Sequence, residues 1–258
     1  MALTSAATLT SASILCAQSG SQVHGADFDR ADRRSRNLIS TIRCAQQVSI
    51  ARARGLFGPV DSLGRSGQCV AVDHRYVGVF MDVDTQFVSP TRFTAVDLVA
   101  QARRTAPMDT AAVLALARAE WVAQSRGAQS FASANRQYTP MTFRFDGDSI
   151  ESWLVPVTLL IGPPFTLGGE RGYVFTPDGR TLVREIDAFR DYRTFVVPDT
   201  GSVRIVSREQ TVPALSEFVL ANLLNEAGRS VSIDTRGVSS SLAGRGATSV
   251  WMHALHKP

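Results

Sequence analysis

Two short turns constrain this chain more than anything else in it. Asp146, Gly147 and Asp148 separate residues 141–145 from 149–157, and Pro177, Asp178 and Gly179 separate 171–175 from 181–186. The flanking runs are rich in β-branched and aromatic residues. A glycine in each turn supplies positive φ where the chain reverses, so the pattern predicts two antiparallel hairpins. Ahead of them, Pro107 and Asp109 open a helix carrying Val113, Leu114, Ala117 and Trp121, with Asp109 as N-cap and Gly127 as the stop. Gly162, Pro163, Pro164, Gly168 and Gly169 read as a loop between the hairpins, too poor in side chains to form an element.

The order of one helix followed by two hairpins, over roughly residues 109–187, resembles in topology the small helix-on-sheet modules of the cystatin-like and PepSY kind. The resemblance implies a helix packed on an antiparallel sheet and carries no activity with it.

Elsewhere, Phe28, Ala31, Ser35, Leu38, Ile42, Ala45 and Ser49 recur three and four apart, predicting a helix from Asp27 to about Arg54 that Gly55, Gly58 and Pro59 end. Cys44 sits on its flank. Residues 61–68 have loop composition. A hairpin or bent strand follows at 69–83 around Asp73, His74 and Arg75, with a short strand at 92–98. The last third reads as a strand at 202–207, a helix over 213–227 with Pro213 in its first turn and Gly228 at its C-terminus, and strands at 231–233 and 248–253. Ser239, Ser240 and Ser241 read as a loop. The expected fold class is therefore α+β, with antiparallel hairpin-rich sheets and about three packed helices.

Composition fits a folded, water-soluble chain, with 44% hydrophobic and 19% charged residues among 258. The net charge of +4 rests on 27 basic residues of which one, Lys257, is lysine. The arginines are scattered, and the one dense stretch, 27–36, also holds three aspartates, so nucleic acid is not an expected partner. With a lone penultimate lysine there is no Gly-Lys-Ser/Thr phosphate loop, no Ser-x-x-Lys pair and no internal Schiff-base lysine, which excludes those kinase, NTPase and pyridoxal chemistries. The run Gly244, Arg245, Gly246, Ala247 lacks the strand-to-helix context of a dinucleotide fingerprint.

Histidine chemistry is limited to His24, His74, His253 and His256. His253 and His256 fall on opposite faces of the strand expected there, a poor metal pair. A Ser-His-Asp triad would have to recruit His74 beside Asp73, which read better as a solvated turn. The acidic clusters, Asp82 with Asp84 and Asp146, Asp148 with Glu151, lack calcium-loop spacing. Trp121, Trp153 and Trp251 lie among apolar neighbours and read as core. No catalytic, cofactor-binding or metal residue is assigned, and no cofactor is expected.

Residues 1–17 are uncharged and rich in Ala, Ser, Thr and Leu, with Ala17 suited to a cleavage site, so 1–17 reads as a signal peptide and 18–26 as a linker. Residues 27–258 then form a single α+β domain, with a sub-boundary near 100–108 as the alternative. No transmembrane segment is expected in the mature chain. Removing Cys16 leaves Cys44 and Cys69, an even count that in an oxidising compartment predicts a structural disulfide. Closing that loop stabilises by about 3 kcal/mol on the chain-entropy model. These readings predict a periplasmic or secreted bacterial protein, a non-enzymatic module binding a protein, peptide or envelope component through sheet edges or loops. The alternatives are a carboxylate-dependent secreted hydrolase and a structural envelope protein.

Overall fold

The computed structural model describes residues 11–55, 66–72, 75–83, 90–97, 102–103, 109–131, 138–187, 192–207 and 210–255. Its longest element is helix α1, Ser11–Ala53. The end matches the expected stop, but the start lies well before Asp27, so the segment 18–26 expected as a linker is helical. Its Ala, Gln and Ser content permits this, and Gly20 and Gly25 weaken it by about 1 kcal/mol each relative to alanine.

Strands β1 (Ser66–Val72), β2 (Arg75–Val83), β3 (Pro90–Asp97) and β4 (Ala102–Arg103) form one antiparallel sheet in chain order. The expected hairpin over 69–83 is its first turn, and β1 takes in residues 66–68, expected as loop. The proposed sub-boundary near 100–108 falls largely outside the described residues. Cys44 on α1 and Cys69 on β1 stand at disulfide distance, with Cα atoms 5.8 Å apart, the separation such a bridge requires.

Helix α2, Thr110–Phe131, starts as expected: Asp109 accepts the Ala112 N–H at 2.9 Å. It does not stop at Gly127. That glycine is there for packing, since a Cβ would lie 2.3 Å from Leu154 Cδ1. The helix lies on a four-stranded antiparallel sheet ordered β5-β6-β8-β9, made of β5 (Tyr138–Phe145), β6 (Ser149–Pro156), β8 (Arg171–Phe175) and β9 (Leu182–Asp187). Helix α2 and two hairpins, the order read from the two turns, are thus present. Gly179 sits at φ +69° and a Cβ there would meet the Ala115 carbonyl oxygen at 2.0 Å. Gly179→Ala is expected to cost at least about 1–2 kcal/mol in thermal unfolding, from the left-handed backbone alone; an unchanged melting temperature would contradict the tight docking of this turn on α2.

This sheet is covered on both faces, which is why β6 is buried along nearly its whole length. Ile150, Leu154, Tyr173 and Phe175 face α2, whereas Met141, Phe143, Phe145, Trp153 and Val155 join a second cluster with Phe28, Leu38, Ile39 and Ile42 of α1. Trp153 is core as expected. Trp121 is not, being half exposed on α2; its apolar neighbours misled because helical spacing puts it on the outer side.

Between the hairpins, the four-residue turn α3 (Thr158–Ile161) leads to β7 (Phe165–Gly168), which pairs with β10 (Tyr192–Phe195). The segment expected as a bare loop therefore contributes a strand, because Phe165 and Leu167 supply apolar anchors between the glycines.

The remaining chain forms the sheet β11-β12-β13-β14, made of β11 (Val203–Ser207), β12 (Val231–Thr235), β13 (Val238–Ala243) and β14 (Val250–Leu255). Helix α4, Leu215–Glu226, connects β11 to β12 as parallel neighbours; the other pairs are antiparallel. Pro213 stands before Ala214, the N-cap, and not inside the first turn. Gly228, at φ +86°, follows the last turn as expected. Ser239, Ser240 and Ser241 are strand and not loop: Ser240 is buried between Ile233 and His253, while its neighbours face outward. One apolar cluster runs from β5 and β6 through α1 and α4 into this sheet, with Phe28, Phe218 and Trp251 packed edge to face.

Candidate functional site

Helix α1 is the spine to which both the α2-covered sheet and the C-terminal sheet are fastened. Toward the first, Arg34 reaches Glu151 with Nε 2.9 Å from Oε2 and Nη2 2.9 Å from Oε1, and Trp153 Nε1 donates to Oε2 at 2.8 Å. The guanidinium lies 4.9 Å from the Phe145 ring centroid. Toward the second, Asp32 accepts from Trp251 Nε1 at 2.9 Å, Asn222 Nδ2 at 3.1 Å and Arg36 Nε at 2.8 Å. Asn222 also donates to Ser35 Oγ and the Phe218 carbonyl. In both networks each carboxylate oxygen already accepts at least one hydrogen bond, so these side chains serve to join elements.

These contacts settle where the acidic cluster of the first hairpin goes. Asp146 lies near Arg30 and Arg33 at 3.5 and 3.8 Å, while Glu151 is taken by Arg34, so separate arginines of α1 hold the two acids. Among the described residues, no three His, Cys, Asp or Glu side chains converge on a common point. His253 Nδ1 lies 2.9 Å from Ser240 Oγ across β13 and β14, and its ring meets Phe28 edge to face. Ser240 is fully buried, so this pair is a cross-strand bond and not an accessible nucleophile. Asp73, His74, Asp84 and His256 lie outside the described residues.

One buried acidic pair was not legible in the sequence. Helix α4 begins on Ala214, which has no side chain to accept an N–H of the first turn. Two glutamates take over. Glu217 accepts the Ala214 N–H at 2.9 Å and is held by Arg193 of β10 at 2.5 Å. Glu170, between β7 and β8, accepts the Ser216 N–H at 2.5 Å, and Ser216 Oγ accepts the Gly168 N–H. Burial pushes both carboxyls above the ordinary glutamate range; for Glu217 the Arg193 guanidinium opposes this. The one local oddity there is an alanine where a helix wants Ser, Thr, Asp or Asn, which does not say which groups replace the cap.

The second feature is the free edge of the C-terminal sheet. β14 closes the order β11-β12-β13-β14, and among the described residues no strand pairs with its outer side. Val250, Met252 and Leu255 are 64%, 60% and 76% exposed. Across the outer face the rows run Arg204, Ser232, Ser241, Met252 and Asp234, Ser239, Ala254, so β14 borders small side chains. Edge strands ordinarily carry charges or proline that deter pairing. Here β5 has Pro140 and Arg144, β9 has Arg184, Glu185 and Asp187, and β11 has Arg204 paired with Asp234. β14 reads Val-Trp-Met-His-Ala-Leu, with no Asp, Glu, Lys, Arg or Pro. The edge strands β1 and β7 lack them too, but β1 is tied to α1 at Cys69 and β7 is four residues long, whereas β14 is a six-residue edge with Val250 and Met252 exposed.

Comparison of the chain with protein-family models, with curated proteins and with solved structures finds no match in any of the three, so this geometry alone carries the functional reading. No helix among the described residues is long and apolar enough to cross a membrane.

Proposed function

We propose that this protein is a non-enzymatic binding module that accepts an extended, uncharged segment of a partner protein along β14. The observation that carries the reading is the unguarded edge: a six-residue strand, fully paired to β13 on one side, with exposed Val250 and Met252 and no deterrent charge. Strand addition there gives affinity through main-chain hydrogen bonds and selectivity through alternate side chains. An uncharged partner fits best, because Ser239, Ser241 and Ala254 offer no counter-charge beside the edge.

The hydrolase reading draws less support. Its two carboxylates exist as Glu170 and Glu217, but they are 0% and 3% exposed and fasten the start of α4, so a substrate does not reach them in this conformation. The Cys44 and Cys69 placement and the leader-like residues 1–17 support a periplasmic or secreted location. Cleavage after Ala17 would spare both α1 networks, whose residues lie at 32–36.

The test is a fluorescence-anisotropy titration with labelled ten-residue peptides of alternating Val and Thr, and with the same peptides carrying Asp or Lys at every second position. The uncharged set is expected to bind, and Met252→Lys to weaken binding at least about tenfold by guarding the edge. Because Met252 faces solvent, stability should change by no more than about 0.5 kcal/mol. Equal binding of charged and uncharged peptides, or no effect of Met252→Lys, would refute the assignment.

A further inference from the structure

The Glu170 carboxyl is completely buried, its Oε1 takes the Ser216 N–H at 2.5 Å, and its Oε2 has no hydrogen-bond partner. An ionised carboxylate in that position would leave half its charge bare in the core, which is costly. Hydrogen bonding to the Ser216 side chain, to the Glu170 backbone and to the Ser216 N–H favours the charged form, as does the positive end of α4. Against them stand desolvation, the largest influence, and the Glu217 carboxylate in the same helical turn. The groups around the seam offer no relief: Arg193 from β10 is already engaged by Glu217, and Tyr138 of β5 donates to the Gly168 carbonyl. Tyr192 of β10 lies against Gly169, and Arg171 follows Glu170 in the chain. Desolvation therefore outweighs the helix end.

We propose that Glu170 is a proton-operated clamp: as the neutral acid it fastens the link between β7 and β8 to the first turn of α4, and release of its proton to solvent as pH rises loosens that seam. The seam lies between the α2-covered sheet, to which β8 belongs, and the C-terminal sheet packed on α4. The two α1 networks do not involve Glu170, so the device opens one joint and leaves the spine attached.

The sign follows from linkage. The folded state holds this proton more tightly than the unfolded chain, so the stabilisation is complete below the ordinary glutamate value of 4.5 and is lost as pH rises through the higher folded value. Between those two limits the opening equilibrium of the seam changes by up to about tenfold per pH unit.

The experiment has two arms on the intact protein. Carbon-13 NMR of the glutamate carboxyls should show Glu170 titrating above the ordinary range; titration at the ordinary value would overturn the proposal. Hydrogen exchange of peptides covering 165–171 and 214–218, normalised to the β6 peptide at each pH, should accelerate as pH rises. Glu170→Gln keeps the oxygen for the Ser216 N–H and cannot ionise, so it should abolish that acceleration. If the glutamine variant opens with the same pH dependence as the parent, the clamp is refuted. Thermal unfolding at pH 4 checks that the variant is folded, and Glu170→Leu, which removes the charge and the acceptor, should likewise lack the pH dependence.

Discussion

Arg34→Ala is expected to destabilise the protein by about 3–5 kcal/mol, because it strands a charge in the core. Glu151 is 2% exposed and both its oxygens are occupied by the Arg34 fork, with Trp153 as the other donor. Alanine removes the fork and leaves the carboxylate with one indole N–H. It also strips the guanidinium from the faces of Phe145 and Trp153. Arg34→Lys should recover only part of the loss, since an ammonium cannot reproduce the two-pronged contact. Urea unfolding measures both; a loss below about 1 kcal/mol for alanine would mean that Glu151 finds water or another partner.

The second large effect is at Asp32, which joins the same helix to the other sheet. Asp32→Ala should cost about 2–3 kcal/mol, chiefly through the buried Trp251 indole N–H left without an acceptor. Asn222 still has Ser35 Oγ and the Phe218 carbonyl, and Arg36 still has the Ser249 carbonyl, so those donors are not orphaned. Asp32→Asn keeps an oxygen for Trp251 and should cost about half as much in the same assay. Equal losses for Asn and Ala would show that charge, and not the indole bond, is what matters there.

How much of this was legible depended on whether the signal was local. The hairpins could be read because Gly147 and Gly179 must adopt positive φ, which a sequence announces. Asp109 likewise announced the start of α2. β13 escaped because three consecutive serines resemble a loop until the alternation of Ser240 inward and Ser239 and Ser241 outward is supplied by neighbouring strands. Gly127 looked like a terminator because its real constraint, the closeness of Leu154, lies 27 residues away in β6. The Glu170 and Glu217 pair depends on contacts between β7, β8, β10 and α4, and no spacing encodes those. The open edge could be foreseen as a class, since sheets have edges, but which uncharged strands lie at an edge became visible only once strand order was known.

The measurement that bears most directly on the account is backbone amide NMR of the protein with and without the uncharged extended peptide. The account predicts shift changes and new exchange protection concentrated in Val250–Leu255 and its partner β13, with α2 and the β5-β6-β8-β9 sheet unaffected. Perturbations centred on the Glu170 and Glu217 seam, with β14 unchanged, would contradict it and return the carboxylates to the centre of the protein's chemistry.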